Sequence, residues 1–292
     1  VRKQKKIKDD SLIIEGIRFH QSGFPDKAEE IYRRILSVQP NHADALHLLG
    51  LLMHDQGNDQ LAIELIGKAI AANNKAHGFY GNLGLILQAN GRLEEAEAKF
   101  RKAVALAPKV AETHFNLATL LEDQKQPMEA LDHYRQAIAL NPNYADAFNN
   151  LGRVIGKCNQ LDEAIISLQQ AVKLNPNLVE AHNNLGTVLY SLGRLDDAEV
   201  CYNRVLSLDP DYFRTYNNLG LTLREQGHLV EALESFSRAL SYQPDYADAH
   251  YNLGLLLLQM GDLRRGWEKY EYRWRKEVEP IPKRDFPQPW WQ

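Results

Sequence analysis

The chain has 292 residues, of which 44% are hydrophobic and 25% charged. That is the composition of a folded protein, and Leu, Ile and Val are too plentiful for disorder throughout. The 34 basic and 38 acidic residues leave a net charge of −4, and the five cations Arg2, Lys3, Lys5, Lys6 and Lys8 are crowded into the first eight positions, leaving an acidic body. Such a body does not suit a phosphate backbone, so no nucleic acid is expected as a partner. No apolar run approaches the roughly 18 residues of a membrane-spanning helix, and no apolar stretch follows the N-terminal cations as in a signal peptide. Two cysteines, Cys158 and Cys201, exclude a disulfide scaffold. A reduced, cytoplasmic protein without membrane contact is the expectation.

After the basic stretch 1–8, one pattern governs the chain. Asn-Leu-Gly recurs every 34 residues at Asn82, Asn150, Asn184, Asn218 and Asn252, with Asn116-Leu117-Ala118 in the same phase. Twelve residues after each Gly stands an Ala: Ala28, Ala62, Ala96, Ala130, Ala164, Ala198 and Ala232. Four further on comes a large side chain such as Tyr32, Phe100, Tyr134, Tyr202 or Phe236, and a Pro closes most units. Small residues at the Gly and Ala positions let two antiparallel helices approach, and the large ones fill the space beside the contact. Gly57, Gly91, Gly193, Gly227 and Gly261 fall between the two helical patterns, where a turn uses positive φ. Proline at the unit's end stops the second helix.

In chain order the units begin at 9, 43, 77, 111, 145, 179, 213 and 247. The second has Asn74 where Pro is usual, and the fourth has Pro127 in the inter-helix turn where Gly is usual. The eighth has Gly266 for Ala, Arg273 for a small residue, and no Pro before Pro280. These residues resemble the tetratricopeptide repeat (TPR) family over 9–280. The resemblance implies an all-α, right-handed superhelix (an α-solenoid) of about eight 34-residue helix-turn-helix repeats, whose concave groove is lined by the first helix of each. The expected organisation is a basic tail 1–8, the superhelix 9–280, and a Pro/Trp-rich linker or tail 281–292.

Nothing in the pattern points to catalysis: there is no phosphate-binding glycine loop, no HExxH and no Cys-x-x-Cys. No enzyme activity, cofactor or metal site is expected in this chain. His114, His182 and His250 share a repeat position that ordinarily packs an aromatic, and a core role is expected for them. His20 and His54 share another position, about 10 Å apart by ordinary helix packing, too far for one ion.

The informative position lies just before each Leu-Gly. Six consecutive repeats place Asn there, namely Asn82, Asn116, Asn150, Asn184, Asn218 and Asn252, and three add a second Asn directly before, Asn149, Asn183 and Asn217. A primary amide offers two donors and an acceptor, so it can pair with the N–H and C=O of an extended peptide whatever its side chains. The same amide can equally serve the packing between helices, and both readings stand at this point. The ladder resembles that of the O-linked N-acetylglucosamine transferase family, in which such asparagines hold the backbone of the acceptor polypeptide. Ile14 and Leu48 depart from it in the first two repeats, where apolar contacts or contacts of the His47 kind are expected instead. Acidic residues or Gly at most second positions of the first helices (Asp10, Asp44, Gly78, Glu112, Asp146, Glu180, Asp248) disfavour a carboxylate clamp of the chaperone-tail type.

All four Trp lie in the last 26 residues. The stretch from Gly266 is expected to be helical to about Glu277, with Trp267, Tyr270 and Trp274 on one face as an aromatic cap. Pro280, Pro282, Pro287 and Pro289 then enforce an extended chain. This segment resembles the junction where bacterial TPR repeats run into a glycosyltransferase domain. The function expected is a peptide- or protein-binding scaffold, in its sharpest form the N-terminal acceptor-recognition region of a larger glycosyltransferase. The alternative is a stand-alone adaptor that organises a multiprotein assembly. The aromatic tail 280–292 offers a contact to another copy of the chain.

Overall fold

A computed structural model describes residues 2–275, with side chains from residue 11 onward. The expectations for residues 276–292, and for the side chains of 2–10, lie outside the described residues. The described residues form sixteen α-helices and one 3-10 helix, with no strand. They fall into two compact units, divided between Asn143 and Tyr144.

Unit one holds α1 (Arg2–Gln21), α2 (Pro25–Val38), α3 (Ala43–Asp55), α4 (Asp59–Ala72), α5 (His77–Ala89), α6 (Leu93–Leu106), α7 (Ala111–Asp123) and α8 (Pro127–Leu140). Unit two holds α9 (Ala145–Lys157), α10 (Leu161–Leu174), α11 (Val179–Ser191), α12 (Leu195–Leu208), α13 (Phe213–Glu225), α14 (Leu229–Tyr242), α15 (Ala247–Gln259) and α16 (Leu263–Tyr270), followed by the 3-10 helix Glu271–Arg275. Within each unit the odd-numbered helix packs most on the even one that follows it, and each even helix then packs on the next hairpin's first helix. The backbone of α1 is helical across the boundary expected at residue 8.

The small residues set the spacing inside each hairpin. A Cβ added at Gly84 would lie 2.6 Å from the Phe100 ring, and one at Gly220 2.7 Å from Phe236. At these positions glycine lets the large residue of the second helix seat against the first helix's backbone, and in the fourth repeat Ala118 holds the place with Tyr134 still fully buried. Ala28, Ala62, Ala96, Ala130, Ala164, Ala198 and Ala232 are all fully buried, as are Tyr32, Phe100, Tyr134, Tyr202 and Phe236.

The hairpin turns carry one left-handed residue each. Gly57, Gly91, Gly193, Gly227 and Gly261 hold φ between 72° and 87°, and Lys125 and Asn159 hold the same place at 60° and 61°. Pro127 is therefore not the substitute for the turn glycine. It is the first residue of α8, where its missing N–H costs nothing, and Lys125 takes the glycine's place.

The last hairpin departs from the expected helix. α16 ends at Tyr270 and gives way to the 3-10 turn. A Cβ on Gly254 would lie 2.6 Å from the Tyr270 backbone nitrogen, and one on Gly266 2.9 Å from that of Leu258. At Gly254 the three nearest atoms are all backbone, where at Gly84, Gly186 and Gly220 they belong to an aromatic ring. The 3-10 turn brings the Tyr272 ring onto His250, with centroids 3.9 Å apart. It has three residues per turn, so it breaks the α spacing that would align Trp274 with Trp267 and Tyr270. Trp267 meets Tyr270 edge-on but remains 56% exposed, so the single aromatic face does not form.

Candidate functional site

The ladder asparagines sit at the same point of successive first helices. In unit one Asn82 is on α5 and Asn116 on α7; in unit two Asn150, Asn184, Asn218 and Asn252 are on α9, α11, α13 and α15. The Leu that follows each is buried against the neighbouring helices. The preceding residue is thereby held at the edge of the packed layer, and all six asparagines are partly buried.

Most rungs are tied to the repeat before them. The Asn184 amide donates to Asn149 Oδ1 at 2.9 Å, Asn252 donates to Asn217 Oδ1 at 2.9 Å, and Asn218 donates to Asn183 Oδ1 at 3.4 Å. Each bond joins a rung to the residue 35 positions earlier, the one that stands just before the previous rung. This gives the asparagine doublets a structural use. Asn149 and Asn217 are only 6% and 4% exposed, and a buried amide oxygen needs a donor. Asn183 also accepts from the Thr215 hydroxyl at 3.0 Å, and Asn149 donates to Asn150 Oδ1 at 3.2 Å.

The same relation explains unit one. Asn82 donates to His47 Nε2 at 2.9 Å, and the His47 ring stacks on Phe79 at 4.5 Å. Burial pushes this imidazole down to about 4 against the opposing pull of Asp44, so the ring is neutral and Nε2 can accept. The residue 35 before Asn116 is Gly81, which offers no side chain, and Asn116 makes no hydrogen bond within the described residues. The sequence carries the signal for these partners in the position before the rung, which reads His47, Gly81, Phe115, Asn149, Asn183, Asn217 and Tyr251 across the repeats.

Where a rung is bonded, the bond occupies one of its two N–H groups. For Asn184, Asn218 and Asn252 the second N–H and the Oδ1 keep no partner among the described residues. An N–H and a C=O side by side on a fixed amide match the donor and acceptor of an extended backbone.

The histidines take other roles. His114, His182 and His250 are buried, and each Nε2–H donates to the carbonyl six residues earlier, that of Pro108, Pro176 and Pro244, at 3.2, 3.0 and 2.7 Å. Tyr80, in the same slot, donates to the Asn74 carbonyl at 3.3 Å. His114 also meets His133, Nδ1 to Nδ1, at 2.9 Å. With Nε2–H of His114 committed to Pro108, its neutral Nδ1 accepts and His133 donates. His20 pairs with Asp55 at 2.7 Å, and His54 with Asp59. Among the described residues no group of three or more His, Cys, Asp or Glu could hold a metal ion. Cys201 is buried, which pushes its thiol up to about 11 and leaves it unreactive, and Cys158 is exposed at the end of α9.

No helix of the described residues is long and apolar enough to cross a membrane. No curated protein matches the sequence. Among solved structures, "YrrB: a TPR protein with an unusual peptide-binding site" is 29% identical, with a TM-score of 0.54, over 69% of this chain and 100% of that one. The MamA protein is 26% identical, with a TM-score of 0.52, over 60% of this chain and 95% of that one. The APC/C hetero-tetramer Cut9-Hcn1 shares the fold at 17% identity, with a TM-score of 0.68, over 88% of this chain and 51% of that one. A tetratricopeptide repeat model matches residues 15–77, and the model described as the Cilia and flagella-associated protein 70 C-terminal domain matches 79–279. The chain belongs to the tetratricopeptide repeat family, and over 79–279 to the branch described by that second model.

Proposed function

We infer that the chain is a binding scaffold rather than a catalyst, and that it takes an extended stretch of polypeptide along the first helices of its repeats. In this reading Asn82, Asn116, Asn150, Asn184, Asn218 and Asn252 pair with the ligand's backbone. Asn149, Asn183 and Asn217 orient the rungs from behind. The observation that carries it is the paired N–H and Oδ1 left on rungs whose other N–H is already committed to the preceding repeat. That YrrB is described as having a peptide-binding site agrees with this reading.

The sharper form makes these repeats the acceptor-recognition region of a larger glycosyltransferase. It rests on the ladder and on the sequence from Gly266 onward. A stand-alone adaptor uses the same surface to hold one component of an assembly, and the downstream coding sequence separates the two. A second copy is a further partner in this reading, reached through 280–292. The two free thiols suit a reducing, cytoplasmic setting.

Asn116 gives the cleanest test, because its side chain makes no hydrogen bond among the described residues. Asn116→Ala is expected to leave the melting temperature unchanged and to weaken binding of a neutral extended peptide by about 0.5–1.5 kcal/mol. Asn252→Ala is expected to weaken binding and to lower stability as well, since it strands the buried Asn217 oxygen. Unchanged peptide affinity in both variants would show that the ladder serves packing alone.

A further inference from the structure

The last hairpin of unit one brings two imidazoles together nitrogen to nitrogen. His114 on α7 and His133 on α8 are 19 residues apart in the chain, yet their Nδ1 atoms lie 2.9 Å apart. The ring centroids are separated by 5.2 Å and the rings are tilted by 36°. His114 is 7% exposed, and its Nε2–H is held by the Pro108 carbonyl at 3.2 Å, so its Nδ1 turns a lone pair toward His133. His133 is itself partly buried. No other repeat has histidine at both positions: the two that share the first, at His182 and His250, carry Cys201 and Lys269 at the second.

Between two nitrogens so placed, a metal ion can take the position of the shared proton. Imidazole nitrogens sit about 2.0 Å from a divalent transition ion, so two of them at a right angle are about 2.8 Å apart, and two at the tetrahedral angle about 3.3 Å. The observed separation is that of neighbouring corners of a tetragonal site. The bond from His114 Nε2–H to a backbone carbonyl is the kind of outer contact that fixes tautomer and ring orientation in a metal-bound histidine. A third ligand is in reach. Glu129 stands four residues before His133, one turn away on the same face of α8. Its carboxylate accepts from Arg101 of α6 at 2.7 Å, but Arg101 also donates to Glu97 at 2.7 Å. Glu129 can therefore turn to an ion without stranding the guanidinium.

We propose that His114 and His133 form the two-imidazole core of a binding site for a divalent transition-metal ion, Cu²⁺ or Zn²⁺, with Glu129 as third ligand and water in the remaining positions. Imidazole suits both ions, and the 2.9 Å spacing favours the tetragonal preference of Cu²⁺. The core holds two ligands as it stands, and a rotation of the Glu129 side chain completes it. Both imidazoles bind in the neutral form. The proton on His133 Nδ1 passes through water to its Nε2, and the ion takes the freed lone pair, so the protein's charge does not change. Burial, which holds His133 below the ordinary histidine range, favours that neutral form. A bound ion cross-links α7 to α8, which packing alone otherwise joins to the His114–His133 hydrogen bond. The site is independent of the asparagine ladder.

The test is calorimetric titration of the full chain with Cu²⁺ and with Zn²⁺ in a non-coordinating buffer, in a Cys158→Ser background that removes the exposed thiol. One tightly held ion per chain is expected. His133→Gln is expected to weaken it at least about tenfold and Glu129→Gln by less, with helicity unchanged in both. Saturating ion is expected to raise the melting temperature of the parent and not that of His133→Gln. Tighter binding of Cu²⁺ assigns the tetragonal arrangement, and tighter binding of Zn²⁺ means that the imidazoles open to the tetrahedral spacing. Electron paramagnetic resonance of the Cu²⁺-loaded parent is expected to show two imidazole nitrogens on one ion, a result that needs no variant to fold. The site is overturned if neither ion binds, if parental affinity survives in His133→Gln, or if fewer than two imidazoles couple to the copper. The last two outcomes would place the ion on exposed groups such as the His20–Asp55 pair.

Discussion

Burial on α3 holds the His47 imidazole at about 4, below the 6.5 of a free histidine, and the neutral ring accepts the Asn82 amide. The sign of the pH effect follows. As pH falls through 6.5 the unfolded chain takes up the proton, while the folded chain resists until about pH 4. Stability is full above pH 6.5 and drains away between 6.5 and 4, by up to roughly 3 kcal/mol for this residue. His133 and His250 are also pushed down, chiefly by burial, and add to the same trend. Thermal melts from pH 7 to pH 4 are expected to fall steeply for the native chain and less steeply for His47→Gln, which keeps an acceptor for Asn82 but cannot titrate. Equal slopes would remove His47 from the account. Sequence alone shows the rungs as a repeat of one residue type. It does not show His47 as a rung's partner, because the bond joins a residue to one 35 positions away through the stacking of two repeats. The slot of His114, His182 and His250 was legible as a packing position from its phase. Their bonds to the turn carbonyls were not, since those depend on how the chain enters each hairpin.

Each hairpin needs one residue at positive φ between its helices, and six of them use glycine, Gly23 included. Lys125 and Asn159 meet the same demand with a Cβ, which crowds the following carbonyl and costs about 1–2 kcal/mol for an ordinary residue. Asn tolerates the conformation better than Lys does. Lys125→Gly is therefore expected to stabilise the chain by about 0.5–1 kcal/mol after the loss of chain entropy, and Asn159→Gly by less. A lower midpoint in denaturant for Lys125→Gly would contradict the assignment of strain to this turn. The repeat phase placed most of the helices, and counted strictly it puts the glycine's place at Lys125, 34 residues after Gly91; the nearby proline drew the sequence reading to Pro127 instead. The two lie two residues apart, and proline is equally at home as the first residue of a helix, as Pro25 is in α2. The shortened α16 was illegible for another reason. It lies where Gly254 comes close to the backbone of Tyr270 and the Tyr272 ring stacks on His250, which are tertiary contacts.

At the scale of the chain, what was legible is the recurrence itself. Eight near-copies of one hairpin cannot each bury a face alone, so stacking on neighbours is the consequence of the repeat. The price of that architecture is that stability is passed from hairpin to hairpin, and the end of unit two shows how. Tyr216 of α13 and Ala239 of α14 are buried in one cluster with Ala249 of α15, and Leu206, Leu240 and Tyr246 pack around it. Tyr216 also stacks on Tyr242 at 5.8 Å, so two aromatic rings lie near this junction. Removing everything after Asp245 takes away Tyr246 and Ala249 and opens Tyr216 and Leu240 to water. It also removes the Asn252 amide, which leaves the buried Asn217 oxygen without its donor. Exposed apolar surface and an orphaned amide both favour unfolding or association. The truncated chain is expected to melt at least about 3 °C below the full one and to scatter more light at equal concentration. A truncation that melts with the parent and stays monodisperse would mean that α15 and α16 are not what holds the seventh hairpin's outer face, and that the preceding repeats are self-sufficient.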